Sequence, residues 1–427
     1  MSHFFSKCLR LLKSEEAVQA LLLAGVLVVF LGGPFLYQHA DSVKSFFSGS
    51  GKLESYADQV IATCGKNSYP PACYDKEIPK LMDHGLSMEQ AFAVTKLIQT
   101  KVGNYYFCHV LGHNLAAKET AKDPSKWTSV IARCPVGMCS NGCVHGAAQE
   151  RFRNEVLTDE QIQSVIPELS NVCEPSPARE FTGLEKASCY HSLGHLAMYI
   201  TGAHIEKAIP LCKLMSLKGK NDYTTLCFDG LFMQIYQPLE PEDFALVKNI
   251  APTTQQEAHA LCEQYTGPER DSCNRESWPL YRDSLINQPG EIQKFCSVAQ
   301  TPDSLKRCYN GVFYVLVPQL GFDEEKIHTL CTGLPKDLEA QCFANAASRL
   351  IETDYTLAPR AVSMCKRADA EGVGGRCYDE LLFYATFNYQ ANAPARTALC
   401  EILPSPWKEK CIAHETVPPS IKPSAAQ

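Results

Sequence analysis

Three histidine-containing segments in the first half of the chain have the residue types and spacing of a metal site. They read Cys-His-Val-Leu-Gly-His from Cys108, Cys-Val-His-Gly-Ala-Ala-Gln from Cys143 and Cys-Tyr-His-Ser-Leu-Gly-His from Cys189. On a helix, side chains at positions i and i+4 share one face, so each His-x-Leu-Gly-His pair could chelate one ion through neutral imidazole nitrogens. The sequence therefore predicts metal ligands at the histidines of these segments: His109, His113, His145, His191 and His195.

The spacing of the two pairs leaves the number of sites open. Gly112 and Gly194 directly precede the second histidine of each pair, where a missing side chain lets another helix or a ligand approach closely. His109 follows its cysteine directly, whereas His191 lies two residues after its own, an offset of about 100° on a helix. Either the long unit between the second and third segments contains an insertion that rotates its neighbour, or the histidines form two sites.

Imidazole ligands favour particular ions. They suit transition metals such as zinc, copper or iron, whereas calcium and magnesium prefer oxygen ligands. Haem held by axial histidines is an alternative, although the Cys-x-x-Cys-His attachment motif does not occur. An ordinary imidazole pKa of about 6.5 predicts that binding weakens below about pH 6. The competing interpretation is that each histidine is a hydrogen-bonded core residue.

Other catalytic signatures are missing from the sequence. It contains no Gly-x-Ser-x-Gly elbow, phosphate-binding loop, dinucleotide fingerprint or His-Glu-x-x-His motif. Glu150 and Asp229 lie in or near the histidine segments, but we interpret both as solvated or capping groups and assign no catalytic carboxylate. If the protein is an enzyme, these features favour a metal-dependent oxidoreductase over a hydrolase.

The elements that would position the histidines are indicated by 21 cysteines spread along the chain. One series recurs about every 35 residues, and most of its members open an apolar stretch, as at Cys308 and Cys377. A second series precedes the first by 9 to 16 residues and closes amphipathic segments, as at Cys331. The predicted disulfides are 64–73, 134–143, 173–189, 212–227, 262–273, 296–308, 331–342, 365–377 and 400–411, with 108–139 completing the set and Cys8 left free.

The cysteine period predicts an all-α fold built of helical hairpins. Each first-series cysteine would begin a buried helix, each second-series cysteine would end a second helix, and disulfides would staple consecutive hairpins into a solenoid. In period alone this unit resembles the tetratricopeptide class of α-solenoids, whose residue pattern is not legible here. No specific family is recognised for the His-x-Leu-Gly-His segments.

The amino terminus predicts a membrane anchor. Residues 18–37 are uncharged and mostly apolar, and about twenty helical residues cross a bilayer core of about 30 Å. Lys7, Arg10 and Lys13 precede this span, so the positive-inside tendency places the bulk of the chain outside the cytoplasm. A cleaved signal peptide is the alternative. The cysteines indicate an oxidising compartment, and the absence of an Asn-x-Ser/Thr acceptor favours a bacterial inner membrane and periplasm.

These features give a predicted organisation in six segments. They are a cytoplasmic tail (1–17), a transmembrane signal-anchor (18–37), a juxtamembrane linker (38–60), helical repeats with the histidine site (61–260), regular helical repeats (261–414) and a disordered tail (415–427). The net charge of −7 gives no reason to bind nucleic acid.

Two functional hypotheses follow from the sequence. The first is an extracytoplasmic, membrane-anchored repeat protein with a transition-metal site for redox chemistry, metal handling or metal-assisted modification. The second is a non-enzymatic scaffold whose solenoid surface binds a partner protein, with structural histidines.

Overall fold

The computed structural model describes residues 51–103, 105–153, 155–177, 179–218, 221–390 and 392–414. The chain divides into two compact units, Met1–Thr63 and Cys64–Gln427. In the first unit, residues 51–63 are helical. The predicted tail (1–17), transmembrane span (18–37) and carboxyl tail (415–427) lie outside the described residues. Within the described part, no helix is both long and apolar enough to cross a membrane.

The second unit confirms the prediction of an all-α fold. One two-residue hairpin, β1 (Leu217–Lys218) with β2 (Asn221–Asp222), interrupts the helices among the described residues. The α-helices are α1 (Pro70–Asp83), α2 (Met88–Val102), α3 (His109–Thr120), α4 (Trp127–Arg133), α5 (Gly142–Phe152), α6 (Asp159–Asn171), α7 (Gly183–Ile200), α8 (Ile205–Ser216), α9 (Thr224–Tyr236), α10 (Pro241–Val247), α11 (Gln255–Cys262), α12 (Gly267–Glu276), α13 (Arg282–Asn287), α14 (Gly290–Cys296), α15 (Pro302–Gln319), α16 (Glu324–Thr332), α17 (Lys336–Thr353), α18 (Ala358–Ala370), α19 (Gly374–Asn388), α20 (Pro394–Ile402) and α21 (Trp407–Ile412). Short 3₁₀ turns lie at Pro124–Lys126, Cys139–Asn141, Trp278–Tyr281 and Tyr355–Leu357.

Helix starts differ from the sequence interpretation in one respect. Most first-series cysteines lie inside their helices and not at the first residue; Cys189, for example, is the seventh residue of α7. The reason is a capping box: Thr182 accepts a hydrogen bond from the Glu185 backbone, and Glu185 accepts one from the Thr182 backbone. This pair satisfies backbone donors at the helix end that would otherwise be unpaired, and it starts the helix upstream of the cysteine.

All ten predicted disulfides are present. Nine join the end of one helical hairpin to the next across sequence separations of 9 to 16 residues. The tenth, Cys108–Cys139, spans 31 residues. It links the residue before α3 to the turn before α5, so it fastens together two of the elements that carry histidines.

The repeats close on themselves and do not continue as an open solenoid. The longer helices pack in sequence, from α3 through α5, α7, α9, α12, α15 and α17 to α19, and α19 then contacts α7 again. The Gln390 side chain donates to the Glu180 carbonyl across this closure. The Tyr355 backbone N–H donates to the Gly137 carbonyl, next to a second contact between α17 and the turn before α5. Both predicted repeat groups, 61–260 and 261–414, therefore contribute to one circuit.

The disulfides give a stability prediction. Closing a loop of about 15 residues contributes on the order of 3 kcal/mol by restricting the unfolded chain. Because nine such bonds join consecutive hairpins and Cys108–Cys139 closes a longer loop, reduction with a thiol should lower and broaden the thermal transition followed by circular dichroism. Peptide mapping of the unreduced protein should recover 108–139 separately from 134–143. A thermal transition that is unchanged after complete reduction would show that the disulfides do not stabilise the packing of the hairpins.

Candidate metal centre

The first histidine segments meet because α3 and α5 approach each other through glycines. A Cβ atom at Gly142 would collide with the carbonyl oxygen of His109, and one at Gly146 would collide with that of His113. A Cβ at Gly112 would lie 2.9 Å from the Cys143 backbone nitrogen. Any side chain at these positions would push the helices apart. Glycine at these three positions therefore permits the close contact between α3 and α5.

His109, His113 and His145 form a compact trio. Their ligand nitrogens all lie within 4.8 Å of one another, and the Nε2 atoms of His109 and His113 are 3.1 Å apart. The His145 ring centroid is 5.0 Å from that of His109 and 5.3 Å from that of His113. Two nitrogens bound to one ion at about 2.0–2.1 Å in tetrahedral geometry would lie about 3.3 Å apart. The trio could therefore hold one metal ion with small side-chain shifts.

Hydrogen bonds on the outer side of the trio orient two of its rings. His109 Nδ1 lies 3.2 Å from the Ser140 carbonyl oxygen, and His145 Nε2 lies 3.0 Å from the Ser188 carbonyl oxygen. A carbonyl only accepts, so these nitrogens carry the protons of the neutral rings. The lone pairs are left on His109 Nε2 and His145 Nδ1. Metal-binding histidines are held in this way, with the second ring nitrogen donating to a backbone carbonyl.

The turn that supplies the Ser140 carbonyl has an unusual backbone. Cys139, Ser140 and Asn141 are consecutive non-glycine residues with φ of 52°, 48° and 59°. Left-handed conformations of this kind cost about 1–3 kcal/mol each and persist where the surroundings enforce them. Here the Cys108–Cys139 disulfide ties the turn to the start of α3. The fold therefore maintains a strained backbone that places an acceptor beside His109.

The second histidine pair joins the trio through His145. His191 Nε2 and His195 Nε2 are 3.2 Å apart, and the His145 ring centroid lies 5.4 Å from that of His191 and 5.9 Å from that of His195. His195 Nδ1 lies 2.6 Å from Gln234 Oε1, which fixes this ring as well. All five predicted histidines thus form one contiguous cluster. His109 follows its cysteine by one residue and His191 follows its own by two because the two cysteines lie differently in their helices. Cys108 directly precedes α3 and has its disulfide partner downstream, whereas Cys189 lies well inside α7.

Burial favours the neutral form of the cluster histidines, which is the form that can bind a metal ion. Removal from water lowers the pKa of all five histidines, and that of His109 falls to about 4. The Arg349 guanidinium lowers the pKa of His109 further, and Arg275 does the same for His191. Protons therefore compete for these nitrogens at lower pH than the ordinary value predicts. The pH below which metal binding weakens, about 6 from the sequence alone, should therefore be lower.

The far side of His109 carries residues that sequence reasoning missed. Arg349 of α17 is 5% exposed. Its guanidinium lies 5.7 Å from the centroid of the Phe107 ring and 3.7 Å from that of the Tyr314 ring, and it donates a hydrogen bond to the Tyr314 hydroxyl. Phe107 in turn stacks on His109. Burial raises the pKa of Glu352, 3.8 Å from Arg349, to about 7. Nothing local in the sequence marks these residues, because they come from distant helices.

The two carboxylates considered from sequence have ion-pair partners. Glu150 lies 2.6 Å from Arg153 Nε. Asp229 pairs with Arg275 and accepts a hydrogen bond from the Ser272 hydroxyl at 2.6 Å. Both side chains are therefore held by charged or polar neighbours at the edge of the histidine repeats.

The glycine contacts give a test of how the trio is positioned. Gly146→Ala should force α3 and α5 apart and weaken zinc binding at least about tenfold, because the ligands would no longer converge. Gly290→Ala is the matched control, since a Cβ atom there meets nothing within 4 Å. Zinc affinity by competition with a chromophoric chelator gives the measurement. Equal affinities in the two variants would show that the close approach is not required.

The histidine cluster is the feature of the described chain that bears most directly on function. It combines five histidines with neighbouring rings, hydrogen bonds that orient three of those rings, and a strained supporting turn. Comparisons with protein-family models, with curated proteins and with solved structures found no match to this chain.

Proposed function

We propose that His109, His113 and His145 bind a transition-metal ion that the protein uses outside the cytoplasm. The observation that carries this proposal is the convergence of three imidazoles within 4.8 Å, of which those of His113 and His145 are buried and that of His109 is partly buried. Two of their outer nitrogens already donate to backbone carbonyls. A cation between the rings would neutralise the repulsion among lone pairs that converge in a space shielded from water.

The donor set narrows the choice of ion. Three imidazole nitrogens suit zinc, copper or iron and are a poor match for calcium or magnesium. Three protein ligands also leave a position for water or substrate, as in catalytic sites, whereas structural zinc sites are closed by four. Haem is less favoured, since an axial pair must approach from opposite faces of the macrocycle, whereas His109 and His113 lie one turn apart on one helix.

The proposed chemistry is redox, metal handling or metal-assisted modification of an extracytoplasmic substrate. A hydrolytic mechanism ordinarily adds a free carboxylate as general base, and the nearby Glu150 and Asp229 are both ion-paired. This favours an oxidoreductase over a hydrolase. The scaffold hypothesis depended on the concave face of an open solenoid, and the closure of α19 onto α7 gives it no further support.

The proposed location follows from the disulfides and the amino-terminal sequence. Ten disulfides persist in oxidising compartments and not in a reducing cytosol. Together with the apolar stretch 18–37 and its preceding basic residues, they support a single-pass anchor with residues from 41 onward in the periplasm. A protein partner on the outer surface also belongs to this proposal.

Elemental analysis of the full chain tests the metal proposal. The protein should be produced with its export signal intact, extracted in detergent without chelators and measured by plasma mass spectrometry. We expect near-stoichiometric zinc, copper or iron, and reloading of stripped protein by zinc. Stripped protein that takes up none of these ions on titration would overturn the proposal, and a hydrogen bond between the neutral rings of His109 and His113 would then account for their contact.

A further inference from the structure

Met233 occupies, in the second half of the cluster, the position that His145 occupies in the first. In the first half, Gly142 of α5 packs on the carbonyl of His109, and His145 follows three residues later. In the second half, Gly230 of α9 packs on the carbonyl of His191, and Met233 follows three residues later. Each half therefore presents a His-x₃-His pair on one helix and a third donor on the helix packed against it.

The donor atoms of the second half are already close together. His191 Nε2 lies 3.2 Å from His195 Nε2 and 3.3 Å from the Met233 thioether sulfur. The bond from His195 Nδ1 to Gln234 Oε1 leaves the lone pair of this ring on Nε2. Gln234 is the residue after Met233, so α9 supplies both a third donor and the group that orients one of the histidines.

The chemistry of this donor set favours monovalent copper. Thioether sulfur is a soft ligand that selects Cu(I), whereas zinc sites use imidazole, thiolate and carboxylate. Imidazole and thioether ligands bring no negative charge to a bound ion, and His195 of this set is buried. An ion of low charge is therefore easier to accommodate there than a divalent one.

We infer that His191, His195 and Met233 form a second metal site, selective for Cu(I), beside the site of His109, His113 and His145. This inference rests on the proposed metal function of the cluster and adds an ion and a ligand to it. His145 lies between the two sites, with its ring stacked on His191 at 5.4 Å. Two ions bound in this way would be neighbours, as electron transfer or ion transfer between them requires.

Anaerobic Cu(I) titration tests this inference on the full chain in detergent. Ascorbate keeps the copper reduced without opening disulfides, and bicinchoninate competes as a coloured chelator. Wild-type protein should bind two Cu(I) per chain, and Met233→Leu should bind one, with at least about tenfold weaker retention of the second. Copper-edge X-ray absorption should show a sulfur neighbour in the wild type that the variant lacks.

Control variants separate ligand loss from damage to the fold. Met364→Leu changes a fully buried methionine of α18 outside the cluster and should leave two bound Cu(I). Met233→His replaces the thioether by imidazole and should restore a second site that accepts zinc. Two Cu(I) in Met233→Leu, or fewer than two in the wild type, would overturn the inference. Zinc titration of the first site reports on the proposed function independently, because that site contains no methionine ligand.

Discussion

His113→Ala should weaken zinc binding by at least about a hundredfold, because it removes one of three converging nitrogens and breaks the chelating pair that His113 forms with His109. Competition with a chromophoric chelator measures the affinity, and far-ultraviolet circular dichroism measures the helix content. We expect the disulfide-held helices to remain, since the ten bonds are outside the substitution. Removing a buried side chain should still cost about 1–3 kcal/mol of stability.

A matched histidine distinguishes metal binding from the general effect of losing an imidazole. His328 lies on α16, where it pairs with Glu371 at 3.0 Å and not with the cluster. His328→Ala should leave zinc affinity unchanged. Gln149→Ala, which removes a hydrogen-bond partner of His113, should fall between the two variants. Zinc affinity that is the same in His113→Ala and His328→Ala would rule out the trio as the site.

The metal-free protein should lose stability steeply as pH falls below about 6.5. The unfolded chain has ordinary imidazole pKa values of about 6.5, whereas burial lowers the pKa of each cluster histidine in the folded state. Between these values the unfolded chain binds more protons, so acid favours it. The stabilising contribution is full above pH 6.5 and is lost as the pH falls toward the folded value, about 4 for His109.

Urea unfolding between pH 7.5 and pH 5 measures this dependence. Each histidine that stays neutral only in the folded state adds a slope of about 1.4 kcal/mol per pH unit. His145→Gln should reduce the slope by up to that amount, whereas His204→Gln, at a surface residue paired with Glu206, should leave it unchanged. A slope that is the same in all three proteins would show that the cluster does not titrate on unfolding.

The sequence was sufficient for features that repeat at fixed intervals. The cysteine series identified nine disulfides because adjacent hairpins join their ends at similar separations, and Cys108–Cys139 followed as the pair left over. Four of the five histidines were identified because i, i+4 spacing defines one helix face without any tertiary information, and His145 was identified by its similar segment between the two pairs. The helix start at Thr182 could also have been read, since Thr-Gly-Leu-Glu has the form of a capping box.

Features that depend on chain closure had no local signal. Arg349 reaches the side of His109 from a helix more than 200 residues away, and the contact of α19 with α7 joins helices whose first residues are 191 positions apart. In the sequence Met233 is one of several apolar residues around Phe232, and only its place beside His191 in the structure distinguishes it. Whether the pairs formed one cluster or two depended on how α5 and α7 pack, which no spacing rule specifies.

Closure of the helical circuit also restricts how this protein can change over evolutionary time. In an open array, hairpins can be duplicated or deleted because each one contacts only its neighbours. Here a gained or lost hairpin would break the contacts of α19 with α7 and of Tyr355 with Gly137. The copy number of the unit is therefore expected to be constant among descendants of this chain. Variation should concentrate in loop lengths and in the helices that are not part of this circuit.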